Sequence, residues 1–153
     1  KIIIGGILAN DILKSKGVSV SNADENYMEL LGGLNTDDNR LVLPEDYKMK
    51  DGSILDIGQA TIQKFQNAME GAQLVIWNGP LGLFEEKEYE EGTKAMVEYL
   101  SQQSFYRLVG GGDTAKAISR YSSLDKFNFV STGGGAMLYF LAGQKLPGLE
   151  ALM

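Results

Sequence analysis

The sequence predicts an α/β domain: a mainly parallel sheet covered by helices on both faces, in three αβα layers. Two observations carry this. Short apolar runs without polar alternation recur along the chain, as in strands buried on both faces, and each ends in a glycine-bearing turn followed by apolar residues at helical spacing. Right-handed crossovers between parallel strands bring the turns at their carboxyl ends to one edge of the sheet, where ligands of such sheets bind.

The elements follow in order. Lys1 to Ile4 reads as a buried strand, Gly5-Gly6 as its turn, and residues 9–15 as a short helix stopped by Gly17. Ser21 or Asn22 is placed to cap a helix bearing Tyr27, Leu30 and Leu31, and the polar run at 35–39 is turn-like. Leu41-Val42-Leu43 is a second strand, ended by Pro44. Residues 45–51 are charged and expected at the surface, and residues 53–57 form a short extended piece. The clearest helix is 59–70, with Thr61, Ile62, Phe65, Ala68 and Met69 on its inner face and Gly71 after it. Leu74 to Trp77 is a third strand, running into the turn Asn78-Gly79-Pro80.

The acidic stretch 85–91 reads as a solvated helix start, because acids there complement the helix dipole. A helix over 92–102 has Met96, Val97 and Leu100 inside. Phe105 to Val109 is the central strand, and Ala117, Ile118 and Tyr121 mark the helix after it. Phe127 to Val130 is the last strand, and Met137, Phe140 and Leu141 mark the last main helix.

Composition narrows the chemistry. The 153 residues fit one domain, and 44% hydrophobic content supplies a core. Lys1 opens in the middle of an apolar run, which reads as a piece of a longer chain. The net charge of −6 and the lack of a basic cluster argue against nucleic acid. The sequence has no Cys and no His. Disulfides, Cys/His zinc sites and a Ser-His triad within this stretch are excluded. No apolar run approaches the ~20 residues of a membrane span, so a cytosolic soluble domain is expected.

The central motif is Gly110-Gly111-Gly112-Asp113-Thr114. Glycines let backbone approach a ligand closely. The helix that follows offers free N–H groups and a positive dipole end to an anion. An acid at that point repels a bare phosphate unless a cation lies between them, so the motif fits a phosphate carried with Mg²⁺; the alternative is a plain turn with Asp113 as N-cap. Gly5-Gly6, Asn78-Gly79-Pro80-Leu81-Gly82 and Thr132-Gly133-Gly134-Gly135 end three other strands. One parallel sheet would bring all four turns to one crevice, where two helix N-termini address one polyphosphate. Neither a P-loop nor a dinucleotide fingerprint is present. Each turn also has a plainer reading: Asn78 as a turn former, Trp77 as core, Glu85 as a helix-start acid, Ser131 and Thr132 as caps.

These residues resemble the C-terminal, nucleotide-binding half of the phosphoglycerate kinase family. Ile3-Ile4-Gly5-Gly6-Ile7-Leu8-Ala9, Leu55-Asp56-Ile57-Gly58 with Thr61, Trp77-Asn78-Gly79-Pro80-Leu81-Gly82-Leu83-Phe84-Glu85, and Gly110 to Thr114 with Ser131 to Ala136 and Leu146-Pro147-Gly148 carry the likeness. The resemblance implies a Rossmann-like domain and reversible phosphoryl transfer between 1,3-bisphosphoglycerate and ADP in glycolysis, with Mg²⁺ and ATP or ADP as ligands and the protein a monomer. It implies that Gly5 and Gly6 line the adenine side, with Ile54, Leu55 and Leu83 as apolar walls. Glu85 would accept from the ribose hydroxyls, and Asn78 and Pro80 would flank the ribose and phosphates. Gly110, Gly111 and Gly112 would approach the phosphates, Asp113 would hold Mg²⁺ on them, and Thr114 would add a hydrogen bond. The N–H groups around Gly112 and Gly134 would face the transferred group.

The family's 3-phosphoglycerate site and a lysine-bearing loop belong to parts outside residues 1–153, so this stretch alone is expected to be inactive. The alternatives are a non-catalytic nucleotide- or anion-binding module and a structural domain with vestigial turns. The sequence departs from the family pattern at Ile7 (a third glycine there), at Gln59-Ala60 (Pro-Lys), and at Tyr139 and Ala142 (acids).

Overall fold

The computed structural model describes residues 1–23 and 35–152. The chain runs β1 (Ile2–Ile3), α1 (Gly6–Ser15), β2 (Leu41–Val42), β3 (Tyr47–Lys50), β4 (Ser53–Ile57), α2 (Gln59–Ala68), β5 (Leu74–Asn78), α3 (Glu91–Ser101), β6 (Tyr106–Gly110), α4 (Gly112–Tyr121), β7 (Phe129–Ser131), α5 (Gly134–Leu141) and α6 (Pro147–Glu150). Single 3₁₀ turns at Lys87–Tyr89 and Leu124–Lys126 complete it. The α/β class with a mainly parallel sheet is as the sequence predicts. β5, β6 and β7 form a parallel sheet in that order, and β1 pairs with β2 in parallel. The helix expected beyond Ser21 and Asn22 falls on residues 24–34 and lies outside the described residues.

Strand pleating sends alternate residues to opposite faces. On β5 to β7, Val75, Trp77, Val109 and Val130 meet Phe65 of α2, Val97 and Leu100 of α3 and Ile118 of α4 in the main core. The other face carries Leu74, Ile76, Tyr106 and Phe129, all substantially exposed, with α5 lying against β6. α1 packs Ala9 and Ile12 onto Ile4, Leu41 and Leu43 in a second cluster.

The charged residues 45–51, expected at the surface, are half-buried or exposed, and they contain a strand that the sequence reading did not assign: β3, which pairs antiparallel with β4 outside the parallel sheet. The cause is the turn Asp51-Gly52, with φ of 50° and 79°. Positive φ at both central residues is what a tight two-residue hairpin requires. The Asp-Gly dipeptide is a readable signal for it. Asp46, just before β3, caps α2 from outside: its carboxylate accepts from the Ala60 and Thr61 N–H groups at 3.0 and 2.7 Å.

The acidic stretch at 85–91 is not solvated throughout. Tyr89 is buried in its middle, and Arg120 of α4 donates to the Phe84 carbonyl at 2.8 Å and pairs with Glu90 at 2.9 Å. α3 then starts at Glu91, as the dipole argument expects.

Asp56 is fully buried on β4. One carboxylate oxygen accepts from the Gly92 N–H at 2.9 Å, and the other has no hydrogen-bond partner. Burial pushes its pKa from 3.8 up to about 6, against the pull of the Gly92 and Ile57 N–H groups and of Lys48. The folded state therefore holds this proton more tightly than the unfolded chain. The resulting stabilisation is complete below pH 3.8 and is lost as pH rises through about 6. Two pH units correspond to about 3 kcal/mol. The substitution Asp56→Asn keeps an acceptor and removes the charge. Urea unfolding at pH 4 and pH 7.5 should show the variant gaining on the native chain at the higher pH; parallel behaviour at both would refute the assignment.

Candidate functional site

The site grows from the strand ends. β5 ends at Trp77-Asn78, where the buried indole donates its Nε1–H to the Gly79 carbonyl at 2.7 Å. Gly79 has φ of +92°, a conformation that favours glycine. Its N–H donates to Thr114 Oγ1 at 2.8 Å, so the β5 turn is tied to the first turn of α4. Thr114 is 1% exposed. Removing its hydroxyl would strand a donor, which costs about 1–3 kcal/mol. Thr114→Val is expected to lower stability by that amount, and Thr114→Ser to retain most of it, by denaturant titration. Two more donors of this turn, Leu81 N–H and Gly82 N–H, reach Thr93 Oγ1 of α3 at 3.0 and 3.2 Å.

β6 ends at Gly110. Gly111 has φ of +97°, and its N–H donates to the Ser131 carbonyl of β7 at 3.0 Å. Gly111, not Asp113, is the N-cap of α4, and no side chain caps that helix. Asp113 lies inside the first turn with its side chain 65% exposed, pairing with Lys116 at 2.8 Å. The alternative in which Asp113 merely caps the helix is therefore corrected by the geometry. α5 begins the same way: Gly133 is its N-cap, without a side-chain cap bond, so neither Ser131 nor Thr132 caps it. Ser131 Oγ instead accepts from the Gly133 N–H at 3.3 Å.

The two glycine corners meet. A Cβ on Gly134 would lie 2.9 Å from Gly111 Cα and 2.5 Å from Asn78 Oδ1; one on Gly111 would lie 3.2 Å from the same oxygen. Asn78 thus sits at the junction of three turns, and the N-termini of α4 and α5 open side by side with unpaired first-turn N–H groups. The β1 corner joins the same rim: a Cβ on Gly5 would run into the Leu81 side chain, and one on Gly6 would lie 3.1 Å from the Pro80 carbonyl oxygen.

Next to this rim lies a trough lined by Gly5, Gly6, Ile54, Leu55, Asn78, Pro80, Leu83 and Glu85. All eight residues expected on the nucleoside side therefore border one space, and Gly110 to Thr114 stand at the adjoining corner. Its wall is fixed by Asn22, which the sequence offered only as a helix cap. Asn22 donates to the Ile54 carbonyl at 2.8 Å and accepts from the Ile54 N–H at 3.0 Å. The Leu83 N–H donates to the Leu55 carbonyl at 2.8 Å, holding two of the apolar walls together. Among the described residues no group of three or more acidic side chains gathers as a metal cage. One exposed carboxylate, Asp113, beside two sets of free N–H groups suits a cation that brings phosphate oxygens as its other ligands.

The architecture defines a Rossmann-like α/β domain whose glycine corners share one rim. The comparisons with known proteins give the family. The phosphoglycerate kinase family model matches residues 1–144, and the chain belongs to that family. The phosphoglycerate kinase of Streptococcus uberis is 35% identical over 175 residues, which cover 99% of this chain and 44% of that protein. The one from Solibacter usitatus is 37% identical over 172 residues, with 99% and 44% covered. The solved phosphoglycerate kinase of Coxiella burnetii superposes with a TM-score of 0.79 at 31% identity, over 99% of this chain and 46% of that one. That of Pyrococcus horikoshii OT3 gives 0.73 at 28% identity, over 98% and 44%. The chain thus spans less than half the length of the relatives it matches. No helix among the described residues is long and apolar enough to cross a membrane.

Proposed function

We propose that residues 1–153 are the C-terminal, nucleotide-binding half of a phosphoglycerate kinase, holding ATP or ADP with Mg²⁺ in a cytoplasmic, monomeric glycolytic enzyme. The observation that carries this reading is the single rim on which the corners at Gly5, Asn78, Gly111 and Gly134 converge, beside an apolar trough of nucleoside type. In the reaction, the phosphoryl group of 1,3-bisphosphoglycerate passes to the terminal phosphate oxygen of ADP, and a carboxylate leaves. Such transfer asks a protein for positioning and charge neutralisation more than for covalent chemistry.

Each part of the rim has a role in this reading. Ile54, Leu55 and Leu83 flank the adenine beside Gly5 and Gly6, and Glu85 accepts from the ribose hydroxyls. Asn78 and Pro80 position the ribose and phosphates, while Gly110 and Gly111 let the backbone come close to them. Backbone N–H groups at Gly112 and Gly134 stabilise the charge of the group in transfer. The buried hydroxyl of Thr114 serves by holding the Gly79 turn in place. Asp113 would hold Mg²⁺, which would supply charge neutralisation to the phosphates.

The 3-phosphoglycerate site would come from the N-terminal half of the enzyme, and the lysine-bearing loop from sequence upstream of this stretch. The chain alone should therefore bind MgADP in preference to NAD by calorimetry and show no turnover with 3-phosphoglycerate and ATP. Selective MgADP binding with measurable turnover would overturn the half-enzyme reading, and absence of nucleotide binding would overturn the site. The alternative reading is a non-catalytic nucleotide- or anion-binding module of the same fold. An adjoining basic half encoded by the same gene decides for the kinase.

A further inference from the structure

The connection from β5 to α3 carries Pro80, Leu83 and Glu85 along the trough, and α4 holds it at two points. At the first turn of α4 the Thr114 hydroxyl takes the Gly79 N–H at 2.8 Å. About 9 Å further along the helix, at about 1.5 Å per residue, Arg120 and Tyr121 reach the same connection. Arg120 donates through Nη1 to the Phe84 carbonyl at 2.8 Å and to the Glu85 carbonyl at 3.4 Å, and through Nη2 to the Glu90 carboxylate at 2.9 Å. The Tyr121 hydroxyl offers its proton to the Phe84 carbonyl at 3.2 Å and to the same Glu90 oxygen at 2.9 Å. Burial, and then the bond to Glu90, push this hydroxyl up to about 12, so it keeps its proton at neutral pH.

The grip falls on Glu85. The Phe84 carbonyl belongs to the peptide plane before Glu85, and the Glu85 carbonyl to the plane after it. Peptide units are planar. A guanidinium bonded to both planes therefore fixes the Glu85 Cα between them, and with it the direction in which the carboxylate leaves the chain. Phe84 is buried, while Glu85 is exposed and borders the trough. The rigid fork of an arginine suits this task, because its donors point in set directions. We propose that Arg120 is a positioning residue for sugar recognition: it aims the Glu85 carboxylate at the ribose hydroxyls, with Tyr121 and Glu90 holding the guanidinium in place. This role rests on the nucleotide reading and extends it, since Arg120 does not itself line the trough. One rigid helix then carries both the phosphate corner, at Asp113 and Thr114, and the brace of the ribose contact.

Calorimetric titration of the 153-residue chain with ADP and with 2′,3′-dideoxy-ADP, both with Mg²⁺, reads this role. The native chain should bind ADP about tenfold more tightly, the worth of a hydrogen bond to a charged group. Arg120→Ala should bring ADP down to the affinity of the dideoxy compound and leave the dideoxy compound unchanged within about twofold. Glu85→Ala should do the same, and Arg120→Ala added to it should cost nothing more. Tyr121→Phe keeps the ring and removes the hydroxyl, and it should lower the preference for ADP about threefold. A native preference in either the Arg120 or the Tyr121 variant overturns the proposal. Equal weakening of both nucleotides by Arg120→Ala also overturns it, because the clamp would then be structural only. A native chain that binds both nucleotides alike removes Glu85 as ribose acceptor, and the role of Arg120 with it. A native chain that binds neither removes the nucleotide reading itself, and this proposal falls with it.

Discussion

Replacing Gly134 with alanine is expected to weaken MgADP binding by more than tenfold and to destabilise the domain. The new methyl would stand 2.9 Å from Gly111 Cα and 2.5 Å from Asn78 Oδ1. The first neighbour is backbone at a corner bonded to Ser131, so it yields only by parting β6 from β7 or by moving α5 outward. Overpacking of this kind costs about 1–3 kcal/mol. In the proposed reading the functional loss would come from separating the two helix N-termini, whose N–H groups would act on one phosphate only while adjacent. Calorimetric titration with MgADP and urea unfolding read the two effects separately. Gly135→Ala is the control, since a Cβ there meets nothing within 4 Å. Native affinity in the Gly134 variant would remove the shared rim as the basis of the site.

Asp113→Ala should separate binding from stability. The side chain is mostly exposed, and its partner in the structure is Lys116 in the next turn, an exposed pair of the kind that contributes little. Unfolding should be unchanged. MgADP affinity should fall at least tenfold, because in the proposed reading the carboxylate would be the protein's share of the cation's coordination. Chelating the metal should bring native and variant chains to the same weak affinity for ADP. If the variant binds MgADP as tightly as the native chain, Asp113 is not the metal ligand. If the two chains differ equally with and without Mg²⁺, its role is structural.

Much of the site was readable because its chemistry is local. Gly111 and Gly79 occupy positive φ, and that need shows in the sequence as glycine. Acids at a helix start, as at Asp113, show through the dipole. The roles of Thr93, Asn22 and Asp56 were not readable. Each acts on backbone 11 to 36 residues away in the chain, and no local pattern marks such a partner. The β3–β4 hairpin was within reach through Asp51-Gly52. The charges on Lys48 and Lys50 hid it, because a strand at a sheet edge tolerates charge that a buried parallel strand does not.

The sequence by itself determined the class of fold, the order of its elements apart from β3, and the residue types at each strand end. Apolar periodicity, glycine and helix-start acids are properties of short segments, and short segments carry them whole. Tertiary structure alone decided that the corners at Gly5, Asn78, Gly111 and Gly134 share one rim, and that Thr114 spends its hydroxyl on Gly79. Those facts depend on which strands become neighbours, and long-range pairing is set by the packing of the whole core rather than by any stretch of the chain.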